Sequence, residues 1–274
     1  MAYTVREFWN VIKTGRTHLQ DATPIRLGQE FEGYGNQIKL ALSRLSIDVE
    51  ALCQVAIGGT AVGTGVNTHP SFGQAVCKFL SKDMGLSIQE TPHHFQAQGT
   101  MDTMLATSGA IRRTAVAFQK IANDIRWLSS GPRAGLGEIE LPVVQPGSSI
   151  MPGKVNPVIA EALLQVVCQV IGNDAAVSAA AQGGYLELNT YWPVAGYNLH
   201  QGITLLGSSV SNFEKQCLRG IKATATGPDM VEKGLMLATG LTPAVGYDVA
   251  TSIAKEAAQA GKTIRQIAKE QTDL

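Results

Sequence analysis

The sequence predicts an all-α protein: a bundle of long helices followed by a small C-terminal helical domain. Two observations predict it. Apolar residues recur at spacings of three and four over runs longer than an average helix, and few segments alternate with the period of two that strands need. The first run is Leu27, Phe31, Tyr34, Ile38, Leu42, Leu45, Val49 and Leu52, at spacings of 4, 3, 4, 4, 3, 4 and 3. It makes one stripe over many turns, with Pro24 near its start, where a missing N–H costs little. A second helix is expected from about Met101 to Leu128, with Ile111, Ala115, Phe118, Ala122, Ile125 and Leu128 on one side. A third runs from about Val158 to Ala181 and is apolar almost all round, so burial inside a bundle is expected. A fourth uses Ile203, Leu206, Val210, Phe213 and Cys217. Near Ala223-Thr224-Ala225-Thr226-Gly227-Pro228 the composition shifts and the helical patterns shorten. This sets a boundary between residues 1–222, the central bundle, and residues 223–274, the small C-terminal domain.

Composition narrows the function. Lys+Arg and Asp+Glu both number 22 in 274 residues, so the net charge is zero. With no basic cluster carrying interleaved aromatics, nucleic acid is not an expected partner. The four cysteines, Cys53, Cys77, Cys168 and Cys217, lie far apart with no CxxC spacing. They read as reduced thiols in a cytosol-like compartment, and cytoplasmic localisation is expected. The five histidines are scattered, and the pair His93-His94 does not by itself make a metal site. The N-terminal residues lack the pattern of a secretory signal. Polar residues interrupt each apolar run before the roughly 20 residues of a membrane helix, so no membrane partner is expected.

The segment from Gly131 to Pro157 is the one long irregular stretch, rich in Gly and Pro, and such loops are often functional lids. Within it, Gly147-Ser148-Ser149-Ile150-Met151-Pro152-Gly153-Lys154-Val155-Asn156-Pro157 sets a hydroxyl pair beside a lysine and a carboxamide. A loop built this way can bring a small base and oxyanion donors to one anionic substrate. That suits proton abstraction beside a carboxylate, where the charge developing on oxygen must meet fixed donors. A turn-rich connector with incidental polar residues is the plainer alternative. The Gly58–Gly65 run suggests a phosphate loop at first sight, but no GK[ST] follows and no strand is expected before it.

The signature loop resembles the GSSxMPxKxN motif of the fumarase/aspartase superfamily, and the glycine before Lys154 resembles the class II fumarase branch most. Gly15-Arg16-Thr17-His18-Leu19-Gln20-Asp21-Ala22-Thr23-Pro24 is similar to the family's histidine segment. Gly58 to Asn67, Ser130-Gly131-Pro132-Arg133 and Gly172-Asn173-Asp174 also match, in the family's order, so the resemblance covers nearly the whole chain. It implies reversible anti elimination of water from (S)-malate to give fumarate through an aci-carboxylate, without metal or cofactor. By motif position, Ser148 would remove the proton and Ser149 would support the loop. Lys154 and Asn156 would grip a carboxylate, with Thr17 at the second one and Arg133 as loop anchor. His18 and Glu161 would form the pair that handles the hydroxyl or water. A carboxylate early in an apolar helix is costly alone, and such a pair would ease that cost. Plainer readings are a turn-capping Ser148, an N-cap Asn156, a structural His18 and a surface Arg133.

The resemblance also implies a homotetramer whose active sites are shared between subunits. The family's serine-serine-asparagine substrate motif is not found in this sequence. The chain is therefore expected to be N-terminally incomplete and to supply two of the three parts of a shared site. Two alternatives stand beside hydration: an aspartate ammonia-lyase, against which Gly153 and Leu186 weigh, and a non-catalytic or partner-dependent fragment.

Overall fold

The structure, a computed structural model, describes residues 2–145, 147 and 150–272, and the side chains of residues 2 and 3 lie outside that description. The chain opens with α1 (Ala2–Glu7), β1 (Ile12–Thr17), β2 (Gln20–Arg26) and α2 (Leu27–Ala51). It continues through β3 (Gln54–Val55), α3 (Phe72–Met84), β4 (Gln89–Glu90), α4 (His94–Gly99) and α5 (Asp102–Leu128). After β5 (Ile139–Glu140) come α6 (Val158–Ala181), β6 (Gly184–Tyr185), β7 (Leu188–Asn189) and α7 (Trp192–Gln216). The C-terminal part holds β8 (Lys222–Ala223), α8 (Thr226–Lys233), α9 (Ala238–Val245), α10 (Tyr247–Ala260) and α11 (Ile264–Gln271). The fold is a helical bundle, as the periodicity predicts, and the strands among the described residues form only two-stranded pairs. The four long helices fall where the apolar stripes place them, with Cys217 just beyond the end of α7.

Two compact units divide the chain: Met1–Asn36, Asn123–Pro157 and Glu214–Leu274 form one, Gln37–Ala122 and Val158–Phe213 the other. In the first unit, Phe8, Phe31 and Tyr34 stack edge to face, with centroids 5.4 and 5.6 Å apart. Gly28 lets α2 start against the end of α1, because a Cβ there would meet the Val5 carbonyl oxygen at 2.8 Å. Ala238, Ile253, Ala257, Ile264, Ile267 and Ala268 make a small core of their own among the C-terminal helices. A capping box at Thr263, with Gln266 at the third helical position, satisfies two of the end N–H groups of α11.

In the second unit α5 and α6 meet through a polar contact. Asp174 accepts from Ser108 Oγ at 2.7 Å and from Arg112 Nη1 at 2.8 Å. Two expectations about α6 need correction. It is buried along one stripe, Ala160, Leu163, Val167, Val170, Asn173, Asp174, Val177 and Ala180, rather than all round. An apolar residue is buried only where a neighbour covers it, and the rest of α6 is half-buried or exposed among the described residues. Among the described residues α6 is also the one helix long and apolar enough to cross a membrane. Its buried Asp174, paired with Arg112, suits a bundle helix packed against a polar partner better than a lipid-facing span.

Candidate active site

The histidine segment is a β-hairpin, which the helical reading of the sequence does not anticipate beyond its turn. β1 pairs antiparallel with β2, and Thr17 opposite Gln20 leaves His18 and Leu19 as a two-residue loop. Both have positive φ, 54° and 59°, as a type I′ hairpin turn requires. Between the Thr14–Pro24 and Arg16–Asp21 pairs, Ala22 and Thr23 of β2 oppose Gly15 alone, a bulge on β2, and a Cβ on Gly15 would meet the Thr23 carbonyl oxygen at 2.7 Å. The turn therefore projects Thr17 and His18 into solvent on this chain, in a backbone state that non-glycine residues seldom adopt.

The signature loop belongs to the same unit. Ser148 and Ser149, the nominated base and its neighbour, lie outside the described residues. Described residues on either side of them meet. Lys154 donates its backbone N–H to Met151 O at 3.2 Å, Gly153 turns with φ of 80°, and a Cβ on Gly147 would overlap the Lys154 carbonyl oxygen. Gly147 and Lys154 are thus held side by side, which only a glycine at 147 permits. Lys154 and Asn156 are exposed.

Arg133 is exposed in the turn that follows α5. Hydrogen bonds close that turn: Ser130 Oγ donates to Trp127 O at 2.7 Å and accepts from Leu136 N at 3.0 Å, and Gly137 N donates to Ser130 O at 2.8 Å. Glu161 sits half-buried in the first turn of α6, where the helix dipole favours a carboxylate. It falls in the second unit, whereas Thr17, His18, Arg133, Lys154 and Asn156 fall in the first.

Sequence reading missed the most buried charges near the hairpin. Lys13 Nζ lies 2.9 Å from Glu30 Oε1 and 3.0 Å from Glu138 Oε2, and Arg16 Nη1 lies 2.8 Å from Glu138 Oε1. Burial raises the Glu30 carboxyl above its ordinary value, and the Lys13 ammonium pulls it partly back. The signal in the sequence was faint: one lysine between Ile12 and Thr14, and one glutamate between Gly137 and Ile139.

The Gly58–Gly65 run is filled by protein rather than open to phosphate. Gly58 and Gly73 press on the Glu90 carboxylate, and Gly59 leaves room only for the Gln98 amide. His94 Nε2 sits 3.2 Å from Ile57 O and 3.1 Å from Glu90 Oε1. The two-residue β3 does precede the run, contrary to expectation, but the carboxylate at its heart would repel an anion. A separate cavity of ≈ 410 Å³ in the second unit, lined by Gln54, Thr91, Gln98, Asp102 and Trp192 among others, holds none of the nominated residues.

A family model described as "Lyase" matches residues 1–172, and one described as "Fumarase C C-terminus" matches residues 237–274. The chain belongs to this lyase family. A class II fumarate hydratase of Neisseria meningitidis is 47% identical over 264 residues, covering 96% of this chain and 57% of the relative. The chain thus spans little more than half the length of that relative. Among solved structures, a fumarate lyase:delta crystallin from Brucella melitensis is 45% identical with a TM-score of 0.95, over 98% of this chain and 59% of that one. A class II fumarase from Schistosoma mansoni is 38% identical with a TM-score of 0.92, over 98% and 59%.

Proposed function

We propose that the chain supplies part of a fumarate hydratase, interconverting (S)-malate and fumarate within an assembly that shares its active sites between subunits. The observation that carries this reading is the close approach of Gly147 to Lys154, with Lys154 and Asn156 exposed, in a chain whose similar relatives are named fumarate hydratase. Ser148 removes the proton beside a carboxylate. Lys154 and Asn156 hold that carboxylate, and their grip strengthens as carbanion charge moves onto its oxygens. Thr17 binds the second carboxylate, and Ser149 and Arg133 steady the loop. His18, paired with Glu161 in the assembly, protonates the departing hydroxyl or draws a proton from the incoming water. These steps use side chains alone.

A homotetramer supports the same reading through the apolar side chains that this chain leaves open. Leu42 is 55% exposed, Ile47 67% and Ile203 45%, all on long helices. Residues 223–274 are proposed as a separate small domain, for which the core around Ile253 and Ile267 speaks. Cytoplasmic localisation fits four cysteines that are all free thiols.

The competing reading, ammonia release from L-aspartate, is tested with the same product. Fumarate is followed by ultraviolet absorbance for the chain mixed with a full-length relative whose own serine base is disabled. Fumarate from (S)-malate and none from L-aspartate is expected, with His18→Asn lowering turnover at least about a hundredfold, the scale of one general acid–base group. Fumarate from L-aspartate only would replace hydration with ammonia elimination.

A further inference from the structure

Four charged side chains of the first unit take no part in the proposed chemistry, yet two of them are among its most buried groups. Lys13 and Glu138 have side chains only 2% and 1% exposed. With Arg16 and Glu30 they make two cations and two carboxylates, a cluster whose formal charges cancel. Taking such a cluster out of water is costly, and apolar side chains of similar volume often serve stability as well or better. Stability alone is therefore a poor reason for it, and its location suggests another.

The cluster grips β1 at two points, Lys13 near its start and Arg16 two residues before His18. Its hub is hydrogen-bonded through its backbone on both sides. Glu138 donates its N–H to Leu128 O at 2.8 Å, and its carbonyl accepts from Thr224 N at 3.0 Å. Next to it, Thr224 Oγ1 donates to Gly137 O at 2.6 Å. Gly227 of α8 closes the cluster, since a Cβ there would come within 3.3 Å of Lys13 Cβ. Between the two anchored residues lies Gly15, which faces the bulge of β2 at Ala22 and Thr23, and such a bulge increases the local twist of the hairpin. Beyond them His18 and Leu19 hold positive φ, a state that persists only where the surroundings over-determine it.

We propose that Glu138, acting through Arg16 and Lys13, is a positioning residue that fixes the Thr17–His18 turn in its reactive geometry. The proposal rests on the catalytic reading of His18 given above and adds the group that aims it. Small misplacements of a reacting group cost large factors in rate, so the effect should fall on turnover rather than on substrate binding.

Glu138→Gln keeps the volume and removes the charge. Helix content by circular dichroism should be unchanged, kcat for (S)-malate should fall about ten- to a hundredfold, and KM should stay within about twofold. In the substrate-free chain, the His18 imidazole resonance, assigned by its loss in His18→Asn, should shift. Glu138→Asp, which keeps the carboxylate, should recover part of both. A folded Glu138→Gln protein with unaltered kcat and an unmoved His18 resonance overturns the proposal. Should that variant not fold, Arg16→Lys carries the same two readouts from the less buried end of the cluster, and unaltered values there overturn it equally. The resonance needs no turnover. A wild-type chain silent in every mixture therefore removes the hydratase reading, while the resonance still decides whether Glu138 positions the turn.

Discussion

The two units each bury a carboxylate that is ion-paired, and the two clusters differ in what they hold. In the second unit Asp174 joins α5 to α6 through Ser108 and Arg112, whose side chain is 49% exposed. In the first, Glu138 and Lys13 are almost fully enclosed and tie a hairpin, a helix and a loop that are far apart in sequence. The Asp174 contact lies well into α6, away from its first turn and Glu161. The Glu138 cluster ends two residues from His18. A buried charge can thus be a helix staple or a mount for chemistry, and the element it grips tells which.

Truncation should separate them most strongly. Glu138→Ala leaves Lys13 and Arg16 without their shared partner, and about 3–5 kcal/mol of stability should be lost. Asp174→Ala leaves an arginine that water can reach, so the loss should be smaller, about 1–3 kcal/mol, with turnover of the folded protein unchanged. Urea denaturation with turnover measured in parallel checks both. Equal losses, or a fall in turnover for Asp174→Ala, would erase the distinction.

A weaker effect sharpens it. Burial raises the Glu30 carboxyl above 4.5 despite the opposing pull of Lys13. Between 4.5 and that raised value the folded chain holds more protons at Glu30 than the unfolded chain does. This contribution is favourable below the window and declines as pH rises through it. Glu30→Gln should flatten that part of the pH–stability curve, read by urea midpoints from pH 4 upward. An unaltered slope would mean that Glu30 titrates alike in both states.

The long helices were legible because their apolar residues obey one period, although on α2 only Leu27, Phe31 and Tyr34 of that stripe are buried. Ile111, Ala115, Phe118, Ala122, Ile125 and Leu128 are all buried on α5, as their spacing says. The hairpin was not legible, because the residues buried in β1 are Lys13, Thr14 and Gly15 in succession, which follows neither the helical nor the strand period. The burial of α6 was overestimated for a different reason. Composition tells which faces can be covered, and only the fold tells which ones are. The candidate site was nominated by motif resemblance, and the described members of those motifs lie in the hairpin turn, the loops around Arg133 and Lys154, and the first turn of α6. Glu138 carried no motif, and a glutamate beside a glycine reads as a loop surface until its partners are seen.

The most direct measurement is fumarate formation from (S)-malate by the chain, alone and mixed with a full-length relative lacking its own serine base, with Ser148→Ala as control. Turnover that depends on Ser148 and falls by several powers of ten in the control is the expected result, on the scale of losing an activated base together with its positioning. Stable co-assembly with no fumarate, or turnover indifferent to Ser148, would contradict the reading of this chain as a working part of a hydratase.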